Sequence, residues 1–341
     1  MLKKHYDSID LMKFIACFFV VAIHSDPFYD INQNLNNFIS QGVSRLAVPL
    51  FFLATAFFFF NNLSDIKITN YCKRLLSLYG CWFAITLPIT IYNRFIMSEY
   101  TMGVTIFKFV KSIFLTSTFS GSWYLTSCLF CGILFYFLEK LPDKVRKIVT
   151  IVLSIVIYIF CVSTSAYGLL FDKLGFANIY QNIEFYFTKP YTSILVGIPY
   201  FALGRYFLHN EDRKLKKLDY VLGISASILL SIEIILTNIC GFNRSKDCFL
   251  MLIPVAAFIF KLVINSDIQL KKAATMRVVS TVVFFSQFIW LFFIEIAEYA
   301  LQITIPCVFK FIIAVVLSLI TSVIIEKLQK IKMFNWLKYF Y

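Results

Sequence analysis

The side chains best equipped for chemistry stand inside an apolar run. In "SIDLMKFIACFFVVAIHSDPF", residues 8–28, Lys13 and His24 interrupt a stretch otherwise suited to lipid or a packed core. Eleven helical steps of about 100° bring the two side chains within about 20° of one face, about 16 Å apart along the axis. One helix seam would then carry a cation near one end and an imidazole near the other. Imidazole titrates near neutral pH, which suits general acid–base work, and it is also a common buried hydrogen-bonding group. For Lys13 the plain alternative is snorkelling to the headgroups. Residue type alone leaves these readings open.

His24 is the histidine that falls within an apolar run, because His5 lies in a basic N-terminal tail and His209 in a charged loop. Other polar positions gather at the same two depths. Arg45, in "SRLAVPLFF", opens the second run, and Trp123 and Tyr124, in "GSWYLTS", open the fourth, all level with His24. Lys73 and Arg74 precede the third run and Arg205 ends the sixth, level with Lys13. Positive-inside anchoring accounts for those three cations, and an interfacial aromatic belt for the two rings. A charge at membrane depth costs about 2.5–3.5 kcal/mol, so each needs a partner or an exit. Glu295 and Lys310 share an external depth and are expected to pair, whereas Glu233 and Lys261, at differing depths, read as a structural ion pair or as snorkelling groups.

Only membrane helices position residues in this way. The chain has 341 residues, 60% hydrophobic and 15% charged, with a mean hydropathy of +0.77; soluble domains carry about 25% charged residues. The expected fold is an all-α, polytopic integral membrane protein. Apolar runs lie near 9–27, 46–61, 76–94, 122–138, 148–167, 190–208, 219–239, 248–266, 278–297 and 304–325, about ten helices if each crosses, since a crossing takes about 20 residues. The net charge of +13 would suggest nucleic acid in a soluble protein, but here the basic residues collect in alternate short connections. These are Lys3 and Lys4; Lys67, Lys73 and Arg74; "EKLPDKVRK"; "GRYFLHNEDRKLKK"; Lys271, Lys272 and Arg277; and the tail from Lys327 to Lys338. The positive-inside rule makes both termini cytoplasmic, as an even number of spans requires, and no nucleic-acid face is expected.

"TIFKFVKSIF", residues 105–114, reads as an amphipathic interfacial segment. The nine cysteines show neither metal nor disulfide spacing, and Cys128 with Cys131 reads as helix packing. No small-residue cleavage site promptly follows the first run, which is therefore expected to be retained. Residues 1–341 are expected to form one multi-pass domain in the inner (plasma) membrane.

Several segments, in order, resemble the membrane-bound acyltransferase family 3. "YDSIDLMKFIACFFVVAIHSDPF" is similar to that family's first helix, an arginine, ten residues and a histidine after an Asp-containing lead-in. "ISQGVSRLAVPLFFLATAFFFF" resembles its Arg-x-x-x-Pro-x-Phe-Phe segment, "ITNYCKRLLSLYGCWFAITLPI" its basic entry to the third helix, and "GSWYLTSCLFCGILFYFL" its Trp-Tyr-Leu helix. "SILVGIPYFALGRYF" looks like its Gly-x-Pro-x-Phe-x-x-Gly segment, and "STVVFFSQFIWLFF" like a late helix that often carries a second histidine. Lys13 stands at the arginine, which keeps the charge and loses the bidentate fork; Gln287 stands at the late histidine, "ATAF" at a common Ser-Gly-Phe, and no histidine precedes Trp123.

The resemblance implies an acyltransferase that moves an acyl group, usually acetyl, from cytoplasmic acyl-CoA to a hydroxyl of a cell-surface or lipid-linked glycan, without a metal. It implies that His24 is the catalytic residue, as general base or acyl carrier. Lys13, Lys73, Arg74 and Arg205 would hold the phosphates of acetyl-CoA, and Arg45, Trp123 and Tyr124 would bind the acceptor. Asp26 and Asp30 are candidate orienters of the imidazole, with simple solvation the plainer reading. "VVAIHSDPF" and "RLAVPLFF" also look close to the branch of membrane domains attached to vancomycin-resistance serine racemases and linked with amino-acid movement, although no racemase domain is expected after the basic tail. Transport of a small polar solute is thus an alternative, as is a non-catalytic role in glycan assembly.

Overall fold

The computed structural model describes residues 6–61, 63 and 65–341, without the side chains of 65–67. Lys3, Lys4, His5 and the side chain of Lys67, which enter the charge pattern above, lie outside the described residues.

The helices, in chain order, are α1 (Asp7–Ser25), α2 (Gln33–Ile39), α3 (Ala47–Phe60), α4 (Asp65–Ile91), α5 (Met102–Leu115), α6 (Ser122–Leu138), α7 (Asp143–Thr164), α8 (Gly168–Phe171), α9 (Ala177–Tyr186), α10 (Ile198–His209), α11 (Lys217–Ile239), α12 (Leu252–Ile264), α13 (Ala273–Leu301) and α14 (Cys307–Leu328). Short 3-10 turns cover Val43–Leu46, Pro190–Thr192 and Lys332–Phe340. Among the described residues there is no strand, and seven helical stretches are long and apolar enough to cross a bilayer: Asp7–Ser25, Gln33–Phe60, Ile68–Ile96, Asp143–Thr164, Lys217–Ile239, Ala273–Leu301 and Cys307–Leu328. The protein is a helical, multi-pass membrane protein.

The other three expected runs form shorter helices, of 17 residues in α6, 12 in α10 and 13 in α12. The run near 190–208 becomes α-helical only at Ile198, and ahead of it the Ser127 hydroxyl donates to the Ile194 carbonyl at 3.1 Å and accepts the Gly197 N–H at 3.1 Å. A side chain of α6 thus takes the place of helical bonds. At α4 the expectation needs correction. Lys73 and Arg74 do not precede the third span but lie within α4, which begins at Asp65. No glycine precedes them in α4 and its one proline is Pro88, so helix formers such as Lys, Arg and Leu carry the helix through the charged turns.

One compact unit comprises Met1–Ala54, Tyr206–Ile239 and Phe249–Tyr341. In it α1, α13 and α14 pack mutually. Helices α1 and α13 run parallel, with Arg277 donating to the Asp10 carboxylate towards one end and the His24 ring meeting Phe288 towards the other. Helix α14 runs back, and Trp290 Nε1 donates to Thr321 at 3.1 Å. Ile9, Cys17, Val20 and Val21 of α1 and Val282 and Val283 of α13 are buried. Helix α11 comes close to α12 at Gly223, where a Cβ would lie 2.1 Å from the Phe258 ring.

The membrane-depth charges in this unit find partners other than those expected. Glu233 does not meet Lys261: its carboxylate accepts the N–H groups of Leu250 (2.6 Å) and Met251 (2.9 Å) just before α12. Orphan donors at a helix start are suited to a buried carboxylate. Lys261 pairs with Asp219 at 2.7 Å. Lys310 pairs with Glu298 at 2.7 Å, one turn beyond the expected Glu295.

The second unit comprises Thr55–Arg205 and Cys240–Cys248. Phe59, Phe60, Phe135 and Phe201 form its aromatic cluster. The Tyr71 hydroxyl donates to the Cys128 carbonyl at 2.9 Å, and Gly132 admits the Tyr71 ring, 2.4 Å from where a Cβ would stand. Cys128 and Cys131 are buried in this packing. The amphipathic segment forms α5, whose Lys111 donates to the carbonyls of Glu184 (3.1 Å) and Phe185 (2.6 Å) at the end of α9.

Candidate functional site

His24 occupies the last turn of α1 with its ring exposed, edge-on to Phe288 at 4.6 Å between centroids. The helix stops two residues later, where Asp26 adopts the left-handed conformation (φ 47°, ψ 55°) and its N–H closes on the Ala22 carbonyl. Aspartate tolerates that conformation better than most residues. The chain then turns through Asn32, whose side chain accepts the N–H groups of Asn34 and Leu35 to start α2.

A hydrogen-bonded network ties this turn back to the end of α1. Asn36, buried on α2, donates to Asp26 Oδ1 at 2.6 Å. Gln41 Nε2 donates to the same oxygen at 2.7 Å and to the Ile23 carbonyl at 2.7 Å. The guanidinium of Arg45, on the 3-10 turn Val43–Leu46, donates to Gln41 Oε1. Arg45 and the helix end bearing His24 thus belong to one network, as the shared depth of the two residues suggests. The intermediaries Asn36 and Gln41 escape sequence reasoning, since a lone amide carries no spacing signal. Gln41 and Arg45 are four residues apart, which is the only trace of their contact.

The two loop aspartates are not simply solvated. Asp26 holds Asn36 and Gln41, and Asp30 accepts the backbone N–H of Cys307 (2.6 Å) and its thiol (3.3 Å) at the start of α14. These donors hold the Asp30 carboxyl below the usual carboxylate range. Lys13 is half-buried in α1. One turn before it, the buried Asp10 receives a fork from Arg277, with Nη2 at 2.7 Å and Nε at 3.1 Å. Gln287, beside the Phe288 that supports His24, is fully buried; its Nε2 donates to the Phe284 carbonyl at 3.0 Å and its Oε1 has no protein partner.

The remaining candidates lie in the second unit. Lys73 and Arg74 are exposed on α4. Arg205 is half-buried on α10 and forks onto Glu139, with Nη2 to Oε2 at 3.1 Å. Glu139 also takes Arg146 Nη1 at 3.4 Å, and a phosphate at Arg205 would compete with that shared carboxylate. Tyr124 is buried, with its hydroxyl 2.7 Å from that of Thr55, whereas Trp123 is half-buried and its backbone N–H meets the Ser117 hydroxyl at 3.3 Å.

Residues 6–327 match the model of the acyltransferase 3 family, described as an acyltransferase domain. An amino-acid racemase of Enterococcus faecalis is 23% identical over 263 residues, 76% of this chain and 36% of that protein. Another amino-acid racemase of Enterococcus faecalis is 23% identical over 279 residues, 79% of this chain and 39% of its own. A serine/alanine racemase of Enterococcus gallinarum is 28% identical over 105 residues, 29% of this chain and 15% of that protein. The chain therefore spans little more than a third of the length of the first two relatives. No solved structure matches it.

Proposed function

The chain belongs to the acyltransferase 3 family, and on that footing we propose that it carries an acyl group, acetyl in the simplest case, from cytoplasmic acyl-CoA to a hydroxyl of a cell-surface or lipid-linked glycan at the plasma membrane. In this reading about ten helices cross, the three short ones included, and both termini are cytoplasmic.

The observation that carries the reading is the α1 seam, which holds Lys13 and, eleven residues on, an exposed His24 at the helix end to which Arg45 is tied through Gln41. Lys13 would meet a phosphate of the donor by a charge-assisted contact. The donor's pantetheine arm is long enough to bring the thioester to His24, about 16 Å further along the helix. As the acceptor hydroxyl attacks the thioester carbonyl, His24 takes its proton and returns it to the departing thiolate, or else carries the acyl group itself before the hydroxyl receives it. Arg45 binds the acceptor beside it.

The test uses membranes containing the wild-type protein or His24→Gln, incubated with radiolabelled acetyl-CoA, with label followed into lipid-linked and polysaccharide fractions. Label should appear with wild type and fall by about 100-fold or more with His24→Gln at equal protein amount. Equal label in both would remove His24 from the chemistry. No label in either, with the acceptor present, would sink acyl transfer.

A second reading draws on the relatives' printed names, amino-acid racemase and serine/alanine racemase. In it this membrane domain moves an amino acid, with His24 and Arg45 as polar points on the path. Uptake of labelled serine that depends on the protein and ignores acyl-CoA would favour it.

A further inference from the structure

Gln41 has the geometry of a part built to hold Arg45. Its amide uses both ends: Nε2 donates twice, to the Ile23 carbonyl and to Asp26 Oδ1, each at 2.7 Å, while Oε1 accepts from the Arg45 guanidinium. A neutral side chain that donates twice at one end and accepts at the other is an amide, and glutamine supplies the reach. Asn36 donates to the same Asp26 oxygen at 2.6 Å, so the carboxylate that anchors Gln41 is itself anchored. The backbone conspires in the placement. A Cβ at Gly42 would stand 2.4 Å from the Phe38 carbonyl and 2.8 Å from the Ile234 side chain, so only glycine lets the turn after Gln41 lie this close to α11.

We infer that Gln41, backed by Asp26, is a positioning residue that holds the Arg45 guanidinium at the His24 end of α1, where the acceptor arrives. The inference rests on the acyl-transfer reading above and adds to it the means by which the acceptor's contact is oriented. Gln41 touches neither reacting atoms nor donor, so its removal should weaken use of the acceptor and leave use of the donor alone. Arg45 sits on a short 3-10 turn, and each fixed partner narrows the rotamers that an arginine side chain samples.

Two variants test this by exchanging polarity. Gln41→Glu keeps an acceptor for Arg45 but sets carboxylate oxygens against Asp26 and the Ile23 carbonyl. Adding Asp26→Asn relieves the carboxylate–carboxylate opposition at the original net charge, while the Ile23 carbonyl still faces an oxygen and Asn36 loses its acceptor. Gln41→Glu should raise the KM for the acceptor about tenfold with the KM for acyl-CoA unchanged, and adding Asp26→Asn should recover part of that rise, leaving the double variant clearly less impaired than the sum of its parts. A double variant as impaired as the sum of its parts, or parallel changes in both KM values, would reduce Gln41 to a structural prop and overturn the proposal.

A second measurement stands apart from acyl transfer, so that failure of that reading is not mistaken for failure of this one. The rate at which phenylglyoxal modifies Arg45, followed by mass spectrometry on the full chain in membranes, should rise at least about threefold in Gln41→Leu as the guanidinium loses the Gln41 acceptor. An unchanged rate would overturn the positioning role even if the enzyme proved active.

Discussion

Lys13 shows how much a single side chain can be asked to do. A lysine is a compact point charge on a flexible stem, whereas arginine presents a planar fork that grips phosphate in two places. If Lys13 meets the donor's phosphate, Lys13→Arg should match or improve wild-type use of acyl-CoA, and Lys13→Leu should raise the donor KM about tenfold, the loss expected for one charge-assisted contact. Titration of acyl-CoA in membrane assays reads both. Equal behaviour of the two variants would take Lys13 out of the site. His24 and Arg45 were identifiable as residues because charged and titratable groups are rare in apolar sequence. Gln41, Asn36 and the fork from Arg277 to Asp10 were not, since their importance lies in what they touch.

At the scale of elements, the membrane-depth carboxylate of Glu233 is the clearest case of chemistry serving architecture. It joins α11 to the start of α12 through the N–H groups of Leu250 and Met251. Glu233→Ala would leave both donors without that carboxylate, at a cost of about 1 kcal/mol, the usual worth of a helix cap. The purified protein in detergent should melt lower, with Glu233→Gln between it and wild type because the amide keeps one acceptor oxygen. A melting temperature unchanged in Glu233→Ala would show that the cap contributes nothing. Helix lengths were harder to foresee than helix positions. Helix α4 runs through charged turns that hydropathy excludes, and α10 starts late, with Ser127 bonded to the backbone ahead of it.

Across the whole molecule, the proposed orientation turns on where the basic connections fall. It places the end of α11, and Cys240 just beyond it, outside the cell; Cys240 is exposed. A membrane-impermeant maleimide applied to intact cells should label the wild-type protein, and Cys240→Ser should lose most of that label. Labelling of Cys240 only after permeabilisation would invert the topology. By itself the sequence determined the helical membrane class, the approximate place of each apolar run and the pairing of a cation with an imidazole on one seam, because hydropathy, charge bias and helical period are local quantities. It also carried the resemblance to the acyltransferase 3 family that the match over residues 6–327 bears out. What only the tertiary structure decided was partnership: that Glu233 caps a helix, that Lys310 meets Glu298, that Asp30 reaches Cys307, and that Arg45 is bound through Gln41 to the end of α1. Such contacts join residues from 4 to 277 positions apart, and they follow from which groups are left unsatisfied once the helices have packed, a quantity that no local stretch of sequence contains.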